Sequence, residues 1–222
     1  MRSRPTIRMT LLLVLAGLPA GCGGKPQVRY QPGDRTAIAG QVEEWSFDKD
    51  AAGKSPAGAE VFGGTWDVRA EGDSPSQPNV LCQTATAEYP AIRFGDKVYG
   101  DLVATVRFKA ISGKDDQAAG IIFRVQDANN YYILRANARE DNVYFFRFAG
   151  GTRNSIKSGN VKVPPGQWQE LKLEVEGNRF RGYLNGQLVV EATDDAFAAG
   201  GVGLWTKADS VTCFDDFRVT AR

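Results

Sequence analysis

Leu171-Lys172-Leu173-Glu174-Val175-Glu176-Gly177-Asn178-Arg179-Phe180-Arg181-Gly182-Tyr183-Leu184-Asn185-Gly186-Gln187-Leu188-Val189-Val190 carries the pattern that decides the fold. Leu171, Leu173 and Val175 alternate with Lys172, Glu174 and Glu176. A period of two puts the apolar residues on one face of an extended strand and the charges on the other. Asn185-Gly186 then joins Phe180–Leu184 to Leu188–Val190. Both turn residues tolerate positive φ, which a two-residue hairpin demands. Gly177-Asn178 and Gly150-Gly151 mark two more tight connections.

The same grammar extends outward. Leu102, Ala104, Val106, Phe108 and Ala110 alternate with polar or smaller residues over nine positions. From Val42 onward, short runs rich in Val, Ile, Tyr and Phe are punctuated by Gly, Asn, Asp and Pro. No stretch keeps a helical period across three turns, and there is no internal repeat. About a dozen strands with no helices between them predict an all-β fold, a two-sheet antiparallel sandwich or jelly roll.

Composition bounds the chemistry. The chain has 222 residues, long enough for one large β domain that buries roughly 70% of its unfolded surface. At 42% hydrophobic and 24% charged it is neither collagen-like nor disordered. It contains no histidine. That removes the Ser-His-Asp triad, the Cys-His pair, the HExxH zinc site and every imidazole acid–base catalyst. Any reaction must use carboxylates, Lys, Tyr, Arg or a bound metal.

The first 22 residues have the layout of an export signal. Arg2, Arg4 and Arg8 precede the apolar run Leu11–Ala16, and Ala20-Gly21-Cys22 follows. The run is too short to span a bilayer. This leader resembles that of bacterial lipoproteins, in which the Cys after small residues is lipidated, although Pro19 stands where that motif has an aliphatic residue. Cys22 is therefore the candidate lipidation site, and cleavage near Ala20 to give a secreted protein is the alternative. With the lipid, the expected location is the cell envelope, periplasmic or on the outer face, and the membrane is reached only through that lipid; without it, the protein is expected to be secreted. Residues 23–41 are Gly, Pro and charge and read as a polar linker; 42–222 read as the domain. Without the three leader Arg, 24 basic residues face 26 acidic ones, a net of −2. No nucleic-acid partner is expected from that balance.

Cys82 and Cys213 remain, each inside a strand-like run. An even pair in an oxidising compartment is expected to bond, the alternative being two adjacent buried thiols. Closing a loop this long removes on the order of 4–5 kcal/mol of chain entropy from the unfolded state.

The ordered set Gly120-Ile121-Ile122-Phe123-Arg124, Asn130 through Arg135-Ala136-Asn137, Gly166-Gln167-Trp168, Asn185-Gly186, Gly203-Leu204-Trp205-Thr206-Lys207 and Phe214-Asp215-Asp216 resembles the concanavalin A-like, or laminin-G-like, jelly rolls. Among these the chain is most similar to the bacterial exported 3-keto-disaccharide hydrolase domains, over roughly Trp45 to Val219. The resemblance implies two curved antiparallel sheets and sugar-related roles on a concave face. Fold transfers better than activity.

Strand alternation puts Arg124 on the face of Ile122 and Gln126, opposite Ile121, Phe123 and Val125. It groups Tyr131, Ile133, Arg135 and Asn137, and sets Trp205 and Lys207 apart from Val202, Leu204 and Thr206. If these strands are neighbours, Arg124, Arg135, Asn137, Trp205 and Lys207 line one glycan groove. A sugar site needs an aromatic face for the ring C–H side and fixed polar groups for the hydroxyls. The alternative is that the Arg side chains form ion pairs and Trp205 caps the core.

Carboxylates offer less. Asp115-Asp116 and Asp194-Asp195 read as turns. Glu170, Glu174 and Glu176 share a face. Glu174 and Glu176 lie about 6.6–7 Å apart along a strand, inside the roughly 5–9.5 Å used by glycosidase pairs, yet the alternation is that of any solvated strand. Asp215 and Asp216 are candidate ligands for a structural Ca²⁺, which accepts all-oxygen shells and which jelly rolls of this type often hold; a strand-end Asp bonded to backbone is the alternative. Gly63-Gly64 and Gly200-Gly201 have no Lys-Ser/Thr behind them, so phosphate binding is not expected. The leading expectation is a lectin-like carbohydrate-binding jelly-roll module. A 3-keto-glycoside hydrolase and a laminin-G-like protein-interaction module are the alternatives, and the sequence leaves enzymatic activity open.

Overall fold

The computed structural model describes residues 35–222, so the leader and Cys22 lie outside the described residues. The opening stretch forms β11 (Gln169–Glu176), β12 (Arg179–Leu184) and β13 (Gln187–Thr193), paired antiparallel in that order. Asn185 and Gly186 take φ of 49° and 80°, the left-handed values the hairpin requires. The sheet continues from β11 through β6 (Leu102–Ser112), β15 (Val211–Ala221) and β4 (Asn79–Gln83) to β3 (Trp66–Ala70). With β1 (Val42–Trp45), also on β15, it has eight strands.

A second sheet of seven strands runs β10 (Thr152–Asn160), β9 (Asn142–Ala149), β8 (Asn130–Asn137), β7 (Ala118–Asp127), β14 (Gly200–Trp205), β5 (Ala91–Tyr99) and β2 (Glu60–Gly63). The described residues contain fifteen strands and no helix, and the fold is a two-sheet antiparallel jelly-roll sandwich.

The alternations read from sequence build the core between the sheets. Leu102, Ala104, Val106, Phe108, Leu171, Leu173 and Val175 face inward from the larger sheet, and Ile121, Phe123, Leu134, Phe145 and Leu204 from the smaller. Full burial of each Leu, Ile or Phe stabilises by roughly 1.5–3 kcal/mol. Phe123 meets Phe180 edge-on at 5.0 Å, tying the two sheets together.

Residues 35–41, read from composition as the end of a linker, are paired to the domain. Ala37 N–H donates to Val98 O, Gly40 N–H to Ala221 O, and Ala221 N–H to Gln41 O. Cys82 and Cys213 stand directly opposite on β4 and β15 and form a disulfide, packed with Val80 and Trp168 on the outer side of the larger sheet.

Candidate functional site

The outer face of the seven-stranded sheet carries a second apolar cluster, separate from the core. Its middle row crosses five strands: Ala91, Trp205, Gly120, Arg135 and Tyr144 are successive partners on β5, β14, β7, β8 and β9. Small neighbours leave the indole room. A Cβ on Gly120 would lie 3.4 Å from the Trp205 ring and 3.1 Å from Leu134 O, closer than most packed contacts. A parallel row places Tyr131, Phe148 and Arg153 opposite one another on β8, β9 and β10.

The rings form a continuous bed. Tyr144 stacks on Phe146 at 4.3 Å, Tyr131 on Phe148 at 4.8 Å, and Tyr89, from the segment before β5, stacks on Trp205 at 6.2 Å. Cations lie over it. The Arg153 guanidinium is 4.5 Å from the Phe146 centroid, 5.6 Å from Tyr89 and 5.9 Å from Trp205. Lys207 Nζ is 4.6 Å from Tyr89, and the Arg135 guanidinium is 5.4 Å from Phe146. Cation–π attraction contributes roughly 0.5–2 kcal/mol each, more as water is excluded.

One end of the bed is polar. Arg135, 2% exposed, donates to Glu140 Oε2 at 2.7 Å and to Asn142 Oδ1 at 2.5 Å. Burial pushes the Glu140 carboxyl up, but the Arg135 bonds outweigh it and hold the group below its usual range. Asn137 Nδ2 donates to Asp116 Oδ1 at 2.6 Å. Burial raises Asp116 above the ordinary carboxylate range, against that bond and the charges of Arg135 and Lys207. The Tyr131 hydroxyl is driven up by burial, leaving it neutral.

Three buried N–H donors of this face make no well-aligned hydrogen bond among the described residues: Trp205 Nε1, which lies beside the Tyr131 hydroxyl and lowers its pKa against the larger effect of burial, Arg153 Nη1 and Arg135 Nε. An unsatisfied buried donor costs about 1–3 kcal/mol, so three beside one ring bed is a standing demand for acceptor oxygens. Neither Arg153 nor Lys207 has a carboxylate within salt-bridge distance among the described residues, although Glu140 feels Arg153 at longer range and Asp116 feels Lys207.

Of the residues predicted to line one groove, the sheet brings together Arg135, Asn137, Trp205 and Lys207. Arg124 is elsewhere. A register shift between Phe123 and Asp127, with Arg124 at φ 49°, breaks the alternation, so Val125 joins Ile122 on the outer face. The Arg124 side chain turns to the end of the sandwich. It donates to Phe197 O at 2.9 Å and Gly177 O at 2.5 Å, and more weakly to Gly100 O. It ties three loops together and takes no part in the ring bed.

Of the two candidate calcium ligands, Asp215 is already held by protein donors. Both Asp215 oxygens accept from Ser76, one from its N–H and one from its hydroxyl, each at 2.9 Å, and Asp216 N–H adds a third bond. Burial pushes the Asp215 carboxyl up to about 6 despite these bonds. No group of three or more Asp, Glu or Cys placed to hold a metal ion occurs among the described residues. Glu174 is bound by Lys172, Tyr183 and Arg181, which pull its carboxyl down to about 2, so it is ionised at neutral pH. A polar cleft of about 220 Å³ between Glu44, Thr105, Arg107, Glu170, Asp216 and Arg218 opens on the larger sheet, with no aromatic ring in its lining.

Sequence reasoning missed Tyr89, Phe146, Phe148 and Arg153. The alternation Tyr144-Phe145-Phe146-Arg147-Phe148 was available to it. So was the Gly150-Gly151 turn, which fixes Ala149 opposite Thr152 and therefore Phe148 opposite Arg153.

Residues 41–220 match the family described as the 3-keto-alpha-glucoside-1,2-lyase-like domain. Levanase from Bacillus subtilis (strain 168) is 36% identical over 93 residues, which is 41% of this chain and 14% of levanase. Among solved structures, the carbohydrate-binding module CBM66 from Bacillus subtilis superposes with a TM-score of 0.64 at 24% identity, covering 77% of this chain and 99% of the module. Domain 4 of an extracellular arabinanase from Geobacillus stearothermophilus, solved in complex with arabinotriose, gives 0.57 at 15% identity, covering 83% and 94%. A protein from Parabacteroides distasonis described as a glycosyl hydrolase gives 0.54 at 16%, covering 81% and 100%. At these identities the structural likeness is one of fold.

Proposed function

We propose that this chain, which belongs to the 3-keto-alpha-glucoside-1,2-lyase-like domain family, binds a glycan on the outer face of its seven-stranded sheet. The observation that carries the reading is the ring bed of Tyr89, Trp205, Phe146 and Tyr144 bordered by three unsatisfied N–H donors. Rings receive the apolar side of a sugar, and the donors receive its oxygens. The complex of the related arabinanase domain with arabinotriose, and the carbohydrate-binding description of CBM66, support it. We further propose an exported lipoprotein, anchored through Cys22; the support is the basic, apolar and small-residue order of the leader. Mass spectrometry of the membrane-bound form then finds a diacylated Cys22, and an unmodified mature N-terminus contradicts it.

A second reading is turnover of a 3-keto-glycoside. It is supported by the family match and by Asp116, a half-buried carboxylate with a raised pKa beside Asn137 and within the field of Lys207. A ketone acidifies its neighbouring C–H bonds, so elimination needs one general base. Ligand-observed NMR with plain and 3-keto-disaccharides separates the readings. Saturation transfer without new products supports binding alone, and product signals lost in Asp116→Asn support the lyase. A panel of neutral, keto and acidic sugars that all fail to bind contradicts both.

A further inference from the structure

We infer that the glycan received by this face carries a carboxylate of the uronic-acid kind, and that Arg153 selects it. The inference rests on the glycan-binding reading and narrows it. What the face lacks is acceptors. Its three unsatisfied buried polar atoms are all N–H groups: Trp205 Nε1, Arg153 Nη1 and Arg135 Nε.

Its carboxylates are already engaged, Glu140 by Arg135 and Asn142, and Asp116 by Asn137. Glu88 adjoins the Tyr89 hydroxyl and raises its pKa alongside burial, which acts first. A neutral hydroxyl brings a donor as well as an acceptor, whereas the open positions named above are all donors. A carboxylate only accepts.

Charge points the same way. Arg153 and Lys207 both flank Tyr89, at 5.6 and 4.6 Å, and neither has a carboxylate within salt-bridge distance among the described residues. Planar guanidinium meets planar carboxylate through two parallel hydrogen bonds, roughly twice as strong as neutral ones.

Arg153 is also placed to respond. It projects from β10, the edge strand of its sheet, whose pairing with β9 shifts between Ser155 and Lys157. Its guanidinium lies over Phe146 and Trp205, and Trp205 is 0% exposed beneath the surrounding side chains. Turning the side chain outward uncovers the rings and sets the guanidinium beside a sugar seated on them. The charge that closes the bed is then the charge that pairs with the ligand.

The test compares trigalacturonate with the same trisaccharide after carboxyl reduction, by calorimetry on the full chain and on Arg153→Gln and Arg153→Lys. The wild type is expected to bind the acid about tenfold or more tightly than its reduced form. That ratio is expected to shrink as salt rises from about 0.05 M to about 0.5 M. Arg153→Gln is expected to bring the ratio near one and Arg153→Lys to keep part of it, with unchanged circular dichroism showing both folded. Equal affinities in the wild type, or a ratio that survives Arg153→Gln, would overturn the inference and leave glycan binding standing. Failure of every sugar, acidic or neutral, overturns the glycan-binding reading and the inference with it.

Discussion

The two sheets turn opposite kinds of surface outward. On β11–β13 the charges from Lys172 onward have found their counter-charges. Glu174 takes Lys172 at 2.8 Å and Arg181 at 3.1 Å, Glu176 takes Arg181 and Arg222, and Arg179 and Arg181 share Glu191. On the seven-stranded sheet, Arg153 and Lys207 lie on aromatic rings with no carboxylate within salt-bridge distance, beside N–H groups that make no well-aligned hydrogen bond among the described residues. Both faces follow the same period-two alternation. A ladder that closes on itself is finished by folding, whereas a donor surplus over rings leaves acceptors still to be supplied. Which charges are present matters less than whether they are already answered.

The largest effect expected from breaking this contrast is at Trp205. Trp205→Ala removes a fully buried indole and should lower unfolding stability by about 3–5 kcal/mol in urea titrations. A loss below about 1 kcal/mol would mean that the bed is not packed as described. Next comes Arg124→Met, which leaves the carbonyls of Phe197, Gly177 and Gly100 without their donor. It should cost about 3 kcal/mol while leaving glycan affinity unchanged, since the side chain lies off the bed. Reduced glycan affinity in the folded variant would return Arg124 to the site.

Glu174 gives a smaller, pH-dependent effect. Its carboxyl ionises at about 2 in the folded chain against 4.5 in the unfolded one, so its pairing stabilises fully above 4.5 and is lost as pH falls towards 2. The stability gap between wild type and Glu174→Gln should be constant at neutral pH and close over that acid window. A gap independent of pH would show that the ladder acts through packing. Smallest is Arg179→Ala, an exposed pair whose loss should cost under about 1 kcal/mol at low salt and nearly nothing at high salt.

The fold was legible because alternation and turn chemistry are local. Leu171-Lys172-Leu173-Glu174-Val175 and Asn185-Gly186 decide strand face and hairpin type without reference to the rest of the chain. The placement of the candidate residues was legible in part. Arg135, Asn137 and Trp205 follow from parity, since β8 and the end of β14 keep unbroken alternation. Arg124 did not, because a bulge is a break in parity that Arg-Val-Gln does not announce. Arg153 required a register, and register is a property of two strands together. The pairing of Asp215 with Ser76 spans 139 positions and depends on how the 71–78 loop crosses the sheet, which no local pattern encodes.

The central claim is that a sugar sits on the rings of the seven-stranded sheet. Chemical-shift mapping of the isotope-labelled chain, titrated with oligosaccharides, tests it most directly. The account predicts shifts grouped on Trp205 Nε1, Arg153, Arg135 and Tyr89, with Lys172, Glu174 and Arg181 unmoved. Shifts confined to the cleft of Arg107 and Glu170, or to the charged ladder, would contradict it.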